Sequence, residues 1–324
     1  MIRVDHHCEY HLVGDPDEWV STALPSELHL RKVQLQDGDP WAGILFAGPW
    51  IGEFGWELAR WQGAVRKRAL DSGLYTIVMS DPGHHVLYDD FAHEFWELPE
   101  FFLDAVAHGT LVRQCDHVRA DNSKVLDLLG TLIWRELDLA GHLKDWLTPG
   151  KFSPEEQYVV PLHIATERWS AAAADPHFVG YYCILPRFRA WNGRKNWPVS
   201  NWRMLVSRLA DLHLSPQVLG QPDEVRALTP TFEIAPCDQL ARSIDLLTHA
   251  RFAIASESGG ALLSLLCGCP TFAFGNWKTR SRIVSPPPGG ENFLGTKVEY
   301  LGKSDYHFSV DEVAAGAIAF IQPS

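Results

Sequence analysis

Short apolar runs alternate with helical patterns along this chain, and that rhythm predicts parallel sheets covered by helices. Gly43 to Ala47 (GILFA) predicts a core strand, followed by the loop Gly48-Pro49-Trp50-Ile51-Gly52-Glu53-Phe54-Gly55. Phe54, Leu58, Trp61 and Val65 then recur on one helical face, with Arg60, Arg66, Lys67 and Arg68 mostly on the surface, and Tyr75 to Met79 returns as a strand. The His84 to Pro99 stretch, rich in His, aromatic and acidic residues, suits a loop with short helices. Leu111 to Val118 predicts a strand, and Val125, Leu128, Leu132, Leu137, Leu139 and Leu143 mark a long helical pattern over 124–146.

The rhythm restarts at Gly180 to Leu185 (GYYCIL), a buried strand. A helix carrying Trp202, Leu205, Val206 and Leu209, a strand at Gln217 to Leu219, a small strand at Phe232 to Ala235 and a helix with Leu240, Ile244 and Leu247 follow. Phe252 to Ala255 is then apolar, Ser256, Glu257, Ser258, Gly259 and Gly260 break the pattern, and Ala261 to Cys267 is apolar on every face. Such a helix is buried. Gly268 to Pro270 stops it, Thr271 to Phe274 completes a βαβ unit, and Val298 to Leu301 and a terminal helix close the chain. The expected fold is α/β with two Rossmann-like parallel-sheet domains: an extension over 1–40, domains over 41–165 and 166–308, and a terminal helix over 309–324.

Composition narrows the function. A hydrophobic content of 46% and a net charge of −12 describe a globular chain that repels a polyphosphate backbone, so extended nucleic acid is not an expected partner. No apolar run reaches transmembrane length and the N-terminus lacks a signal-peptide layout, so a cytoplasmic location is expected. The six cysteines, at 8, 115, 183, 237, 267 and 269, lack paired zinc spacing and read as reduced thiols. His6, His7, Cys8 and His11 resemble a metal cluster only in composition, because neighbours on an extended segment point to opposite faces. Asp89 and Asp90 lack the spacing of a metal-binding acidic pair after an apolar strand.

Candidate chemistry gathers at three strand ends. At Ser256 to Gly260, free N–H groups of a helix start favour a phosphate or diphosphate, with Ser256 and Ser258 as hydroxyl donors. An ordinary N-cap and glycine turn would show the same residues. After the strand ending at Leu185, Arg187, Arg189, Arg194 and Lys195 crowd one loop of an acidic chain, which points to an anion site. Glu53, in the first glycine loop beside Gly52 and Gly55, opens a helix, where a carboxylate is also at home without any chemical role. Gly48, Gly52 and Gly55 with Asp81 also suit an NAD(P)-dependent Rossmann oxidoreductase, although their spacing is not G-x-G-x-x-G.

Taken in order, residues 44–69, 184–198 and 255–275 resemble a GT-B glycosyltransferase and are most similar to the heptosyltransferase-type family. The resemblance sets Glu53 where the family has its catalytic Asp, with Glu57 one turn later as a second candidate. It makes Arg187 and Lys195 the best-matched donor-diphosphate residues, and Ser256 to Gly260 the diphosphate turn. Glu257 would contact a ribose or sugar hydroxyl, and Gly52, Gly55 and Asp81 would lie on the acceptor side. The implied reaction, in a cleft between the domains, is metal-independent, inverting transfer of a hexosyl or heptosyl group from a nucleotide diphosphate to a hydroxyl acceptor. It uses no cofactor and leaves room for peripheral membrane contact. The family's His after its turn glycine is absent here, where Ala261-Leu262 follow Gly260. A non-catalytic sugar-nucleotide or glycan binder of the same fold would carry the same motifs.

Overall fold

The computed structural model describes residues 2–4, 10–12, 27–36, 38–114, 117–120, 124–140, 142–150, 152–159, 162, 180–187, 193–220, 228, 240–284 and 294–322. The chain divides into two compact units, Met1–Val159 and Val160–Ser324. No described helix is long and apolar enough to cross a membrane.

In the first unit, β1 (Ile2–Val4) and β2 (Tyr10–Leu12) form an antiparallel ribbon. The main sheet takes β3 (Lys32–Gln34), β4 (Ile44–Ala47), β5 (Tyr75–Ser80), β6 (Glu94–Glu97) and β9 (Leu143–Leu147), ordered β3-β6-β5-β4-β9. β4, β5, β6 and β9 are parallel and β3 is an antiparallel edge. β4 and β5 are buried throughout, as expected of strands covered on both faces. Helix α1 runs as Phe54–Trp56, a π-helical segment Glu57–Trp61, and Gln62–Ser72. Helices α2 (Glu100–Ala107) and α3 (Lys124–Ala140) share a core with the sheet through Phe46, Ile77, Trp96, Phe102, Leu129 and Ile133. A hairpin of β7 (Leu111–Gln114) and β8 (His117–Ala120) lies between these helices in sequence.

Four details differ from the sequence reading. The 124–146 pattern is a helix only to Ala140; His142 adopts φ +69°, and β9 then pairs with β4. The Leu spacing simply continued across a break. The His84 to Pro99 stretch contains a strand, β6, whose acid–aromatic sequence EFWE hides its burial. The Leu111 to Val118 strand is instead the β7–β8 hairpin. Arg66 is buried, not on the surface, because its guanidinium pairs with Asp90 at 3.0 Å and lies over the Phe91 ring.

The second unit is a five-stranded parallel sheet of β10 (Tyr181–Leu185), β11 (Ser215–Val218), β12 (Ala253–Ser256), β13 (Thr271–Asn276) and β14 (Val298–Lys303), ordered β11-β10-β12-β13-β14. The helices are α4 (Val199–Arg208), α5 (Leu240–His249), α6 (Gly259–Leu266), α7 (Arg280–Val284) and α8 (Val310–Ile321). Alternation along the strands divides the labour: Ile254, Phe272 and Phe274 join Trp202 of α4 and Val313 and Phe320 of α8 in one core. Ala253, Ala255, Thr271 and Ala273 face the other way, small enough for α6 to lie close; Ser264 and Thr271 hydroxyls meet there at 2.8 Å. α8 begins at a capping box of Ser309 and Glu312. Cys183, Cys267 and Cys269 are buried and form no disulfide, and burial pushes the Cys267 thiol well up and the Cys269 thiol to about 12, so these two are inert packing groups. The proposed strand Phe232 to Ala235 and the cluster His6, His7, Cys8 and His11 fall on residues or side chains outside those described.

Candidate functional site

Each five-stranded sheet has a topological switch point, where ligands of open α/β sheets bind beyond the carboxyl ends of the strands. In the first unit it lies between β4 and β9, and Gly48 N–H donates to Leu147 O across it at 2.9 Å. Gly48 sits at φ +145°, and a Cβ there would come within 2.9 Å of Met79, so only glycine lets the loop turn against β5. Trp50 N–H donates to Met79 O at 2.8 Å and its ring stacks on Trp61. Gly52, Glu53 and Gly55 follow; Glu53 is the extended N-cap of α1, half-buried, with no side-chain capping bond.

Glu57 is wholly buried. One oxygen accepts from Ser80 Oγ at 2.5 Å and Tyr88 OH at 2.7 Å; the other lies 2.7 Å from His84 Nδ1. The π turn is the local reason: Gln62 N–H donates to Glu57 O, five residues back, a register that recurs at functional sites. Burial pulls His84 down, but the Glu57 carboxylate outweighs it and leaves His84 above the ordinary histidine range. Burial and the same carboxylate push Tyr88 well up, so Tyr88 remains a donor. Beside this group, Asp81 forms a two-oxygen pair with Arg113, one bond at 2.6 Å, and Arg113 also donates to Gly52 O at 3.4 Å. Burial opposes the Asp81 charge and Arg113 overcomes it, holding the carboxyl below its ordinary range.

In the second unit the switch point lies between β10 and β12, and two of the sequence-predicted groups extend from these strand ends. Ser256 ends β12 only 3% exposed, and its hydroxyl has no hydrogen-bond partner among the described residues. Ser258 is the extended N-cap of α6 and makes no capping bond, so the helix start keeps its free N–H groups. Gly260 lies against Leu185 of β10, where a Cβ would come within 2.9 Å of the leucine side chain. Arg187 donates to Glu257 O at 3.4 Å, and Lys195 Nζ reaches Glu257 Oε1 at 3.2 Å. Arg189 and the side chain of Arg194 lie outside the described residues.

Glu257 is a hub. Its second oxygen accepts from Tyr306 OH at 2.6 Å, Asn276 N–H at 3.0 Å and Tyr300 OH at 3.4 Å. Burial opposes its charge, but Thr279, Tyr306, Lys195 and Asn276 hold the carboxyl below the ordinary glutamate range. A bulky residue at positive φ is rare, yet Tyr306 is held at +60° to reach this carboxylate and to lie under the Lys195 ammonium.

No family model matches the sequence, and no curated protein sequence does. Solved structures do match. The ADP-heptose LPS heptosyltransferase II of E. coli aligns with a TM-score of 0.52 at 12% identity, over 86% of this chain and 98% of that one. A glycosyl transferase family 9 protein of Veillonella parvula DSM 2008 aligns at 0.49 and 11% identity, over 89% and 98%. The chain has the GT-B fold.

On this GT-B framework the sequence brought out the turn, the basic loop and Glu57, but not their partners. Ser80, His84, Tyr88 and Arg113 in the first unit, and Asn276, Tyr300 and Tyr306 in the second, come to the sites from elsewhere in the chain. One usable signal was the polar Ser80-Asp81 ending an apolar strand, with Gly83 and two histidines behind it.

Proposed function

We propose that the protein is a glycosyltransferase that moves a sugar from a nucleoside diphosphate to a hydroxyl acceptor with inversion and without a metal ion. The observation that carries the reading is the β10–β12 switch point: a buried Ser256 hydroxyl with no partner among the described residues and an uncapped helix start, with Arg187 and Lys195 both tied to the same turn through Glu257. Those groups suit two phosphates. An unsatisfied buried hydroxyl is costly unless a ligand meets it, and the helix start and two cations favour the charge that grows on a departing diphosphate. The donor class agrees with the ADP-heptose in the name of the E. coli protein of similar fold.

In the reaction the acceptor oxygen attacks the anomeric carbon, the bond from that carbon to the diphosphate oxygen breaks, and the diphosphate leaves with the electron pair. Arg187, Lys195, Ser256 and the N–H groups of Ser258 to Gly260 receive it. Glu257 positions Lys195 and the turn, since its oxygens are taken by protein donors. For the base that takes the acceptor's proton, Glu53 and the group around Glu57 are the candidates. With Arg187 and Lys195 supplying positive charge, no metal is required to neutralise the leaving group.

The oxidoreductase alternative is weaker, because Asp81, the acid that would hold a ribose, spends both oxygens on Arg113. The test is equilibrium titration with nucleoside diphosphates and NAD(P) in EDTA. A nucleoside diphosphate binding without metal is the expected result; binding of NAD(P) alone would refute the proposal.

A further inference from the structure

We infer that His84 is the general base that takes the acceptor proton, oriented by the buried carboxylate of Glu57. The inference rests on the glycosyltransferase reading and assigns a residue that neither the motifs nor the resemblance marks.

Geometry separates the two carboxylates of α1. Glu57 is sealed from solvent and both its oxygens are occupied, so it cannot meet an acceptor and acts only through a neighbour. His84 is that neighbour. A carboxylate only accepts, so the 2.7 Å contact puts the proton on His84 Nδ1 and leaves the lone pair on Nε2. Among the described residues the hydrogen bond of His84 is made through Nδ1, and the side chain is 13% exposed. Its place is also right: Gly83, in the left-handed region, turns the chain just beyond the carboxyl end of β5, and the ring packs 5.2 Å from Phe54, the residue after Glu53.

The charged and titratable groups around the ring are Glu57 from α1, Asp81 and His85 from its own loop, Tyr88 behind Glu57, and Arg113 from β7. Glu57 and Asp81 favour the imidazolium that forms on proton transfer, while Arg113, tied up by Asp81, opposes it weakly. In the balanced step the acceptor O–H proton moves to His84 Nε2, the acceptor oxygen bonds the anomeric carbon, and the diphosphate leaves with the electrons of the broken bond. The imidazolium returns its proton to solvent. Glu57 is a positioning residue and His84 the catalytic one.

The experiment uses the full chain. Binding of ADP-glucose, UDP-glucose and GDP-mannose is measured by calorimetry, and nucleoside diphosphate release is followed with a methyl glycoside as acceptor. His84→Ala is expected to lower turnover by about 10²–10⁴ with donor affinity unchanged, and added imidazole to restore part of it. In the wild type, activity should rise with pH through a value above the ordinary histidine range; Glu57→Gln should move that limb to lower pH, because the group that raises His84 is gone. ¹⁵N spectra of the ring give the second readout: Nδ1 protonated and Nε2 bare in the neutral form. Turnover that survives His84→Ala, or that is lost in Glu53→Gln and kept in His84→Ala, overturns the base assignment. A neutral His84 protonated at Nε2 overturns it without any turnover measurement. Failure of every sugar nucleotide to bind instead removes the glycosyltransferase reading beneath it.

Discussion

The ammonium of Lys195 lies 3.2 Å from Oε1 of Glu257, which pins a cation from the loop after β10 to the turn after β12. The pair is largely shielded, with side-chain exposures of 25% and 10%, so it holds the loop in place while leaving Lys195 able to reach an anion. A charge-assisted hydrogen bond of this kind is worth about 1.5–3 kcal/mol. Lys195→Ala is therefore expected to weaken nucleoside diphosphate binding by roughly 10- to 100-fold. A titration showing unchanged affinity would remove Lys195 from the donor site.

Ser256 allows a test in which stability and binding move in opposite directions. Its hydroxyl is buried without a partner among the described residues, so Ser256→Ala should leave the free protein as stable as before or more so, by up to about 1–3 kcal/mol. The same change should reduce the thermal shift produced by a nucleoside diphosphate. A mutant that melts lower yet binds as well as the wild type would mean that the hydroxyl serves the fold.

Gly275 is needed for the Glu257 hub. A Cβ there would stand 2.4 Å from Glu257 Cβ and 2.5 Å from Tyr300 OH, both held in a packed wall. Gly275→Ala should cost about 1–3 kcal/mol by overpacking and weaken donor binding together, since it displaces the carboxylate that holds Lys195. Denaturant melts read the first effect and calorimetry the second; normal values for both would contradict the packing account.

Acid should expose the hub. Because the folded Glu257 carboxyl is held below its ordinary range, its contribution is present in full above the unfolded value of about 4.3 and disappears as pH falls through the lower folded value. Replacing Glu257 by Gln should flatten this part of the stability profile. An acid limb of the same steepness in both proteins would place the charge coupling elsewhere.

Continuous apolar runs made the sheet interiors legible: Ile44 to Ala47, Tyr181 to Leu185 and Ala253 to Ser256 are central strands buried throughout. Strands whose chemistry is mixed were not legible. Glu94 to Glu97 sets two aromatics between two acids, and Leu143 to Leu147 carries Lys144 and Asp145 on a spacing that extends the preceding helix. Arg66 reads as a surface cation because its partner, Asp90, is distant in sequence. The same limit governs the sites. Arg187, Lys195 and the Ser256 turn follow strand ends, a position the sequence reveals, whereas the Glu57–His84 contact joins residues 27 positions apart through a π turn that no periodicity announces.

The central claim is that the Ser256 to Gly260 turn, with Arg187 and Lys195, holds a diphosphate. Titration calorimetry in EDTA, comparing UDP, GDP and ADP with their monophosphates and with NAD(P), in the wild type and in Ser256→Ala and Lys195→Ala, tests it most directly. At least one diphosphate should bind more tightly than its monophosphate, and both substitutions should erase most of that difference. Equal affinity for monophosphate and diphosphate, or a preference that survives both substitutions, would contradict the assignment.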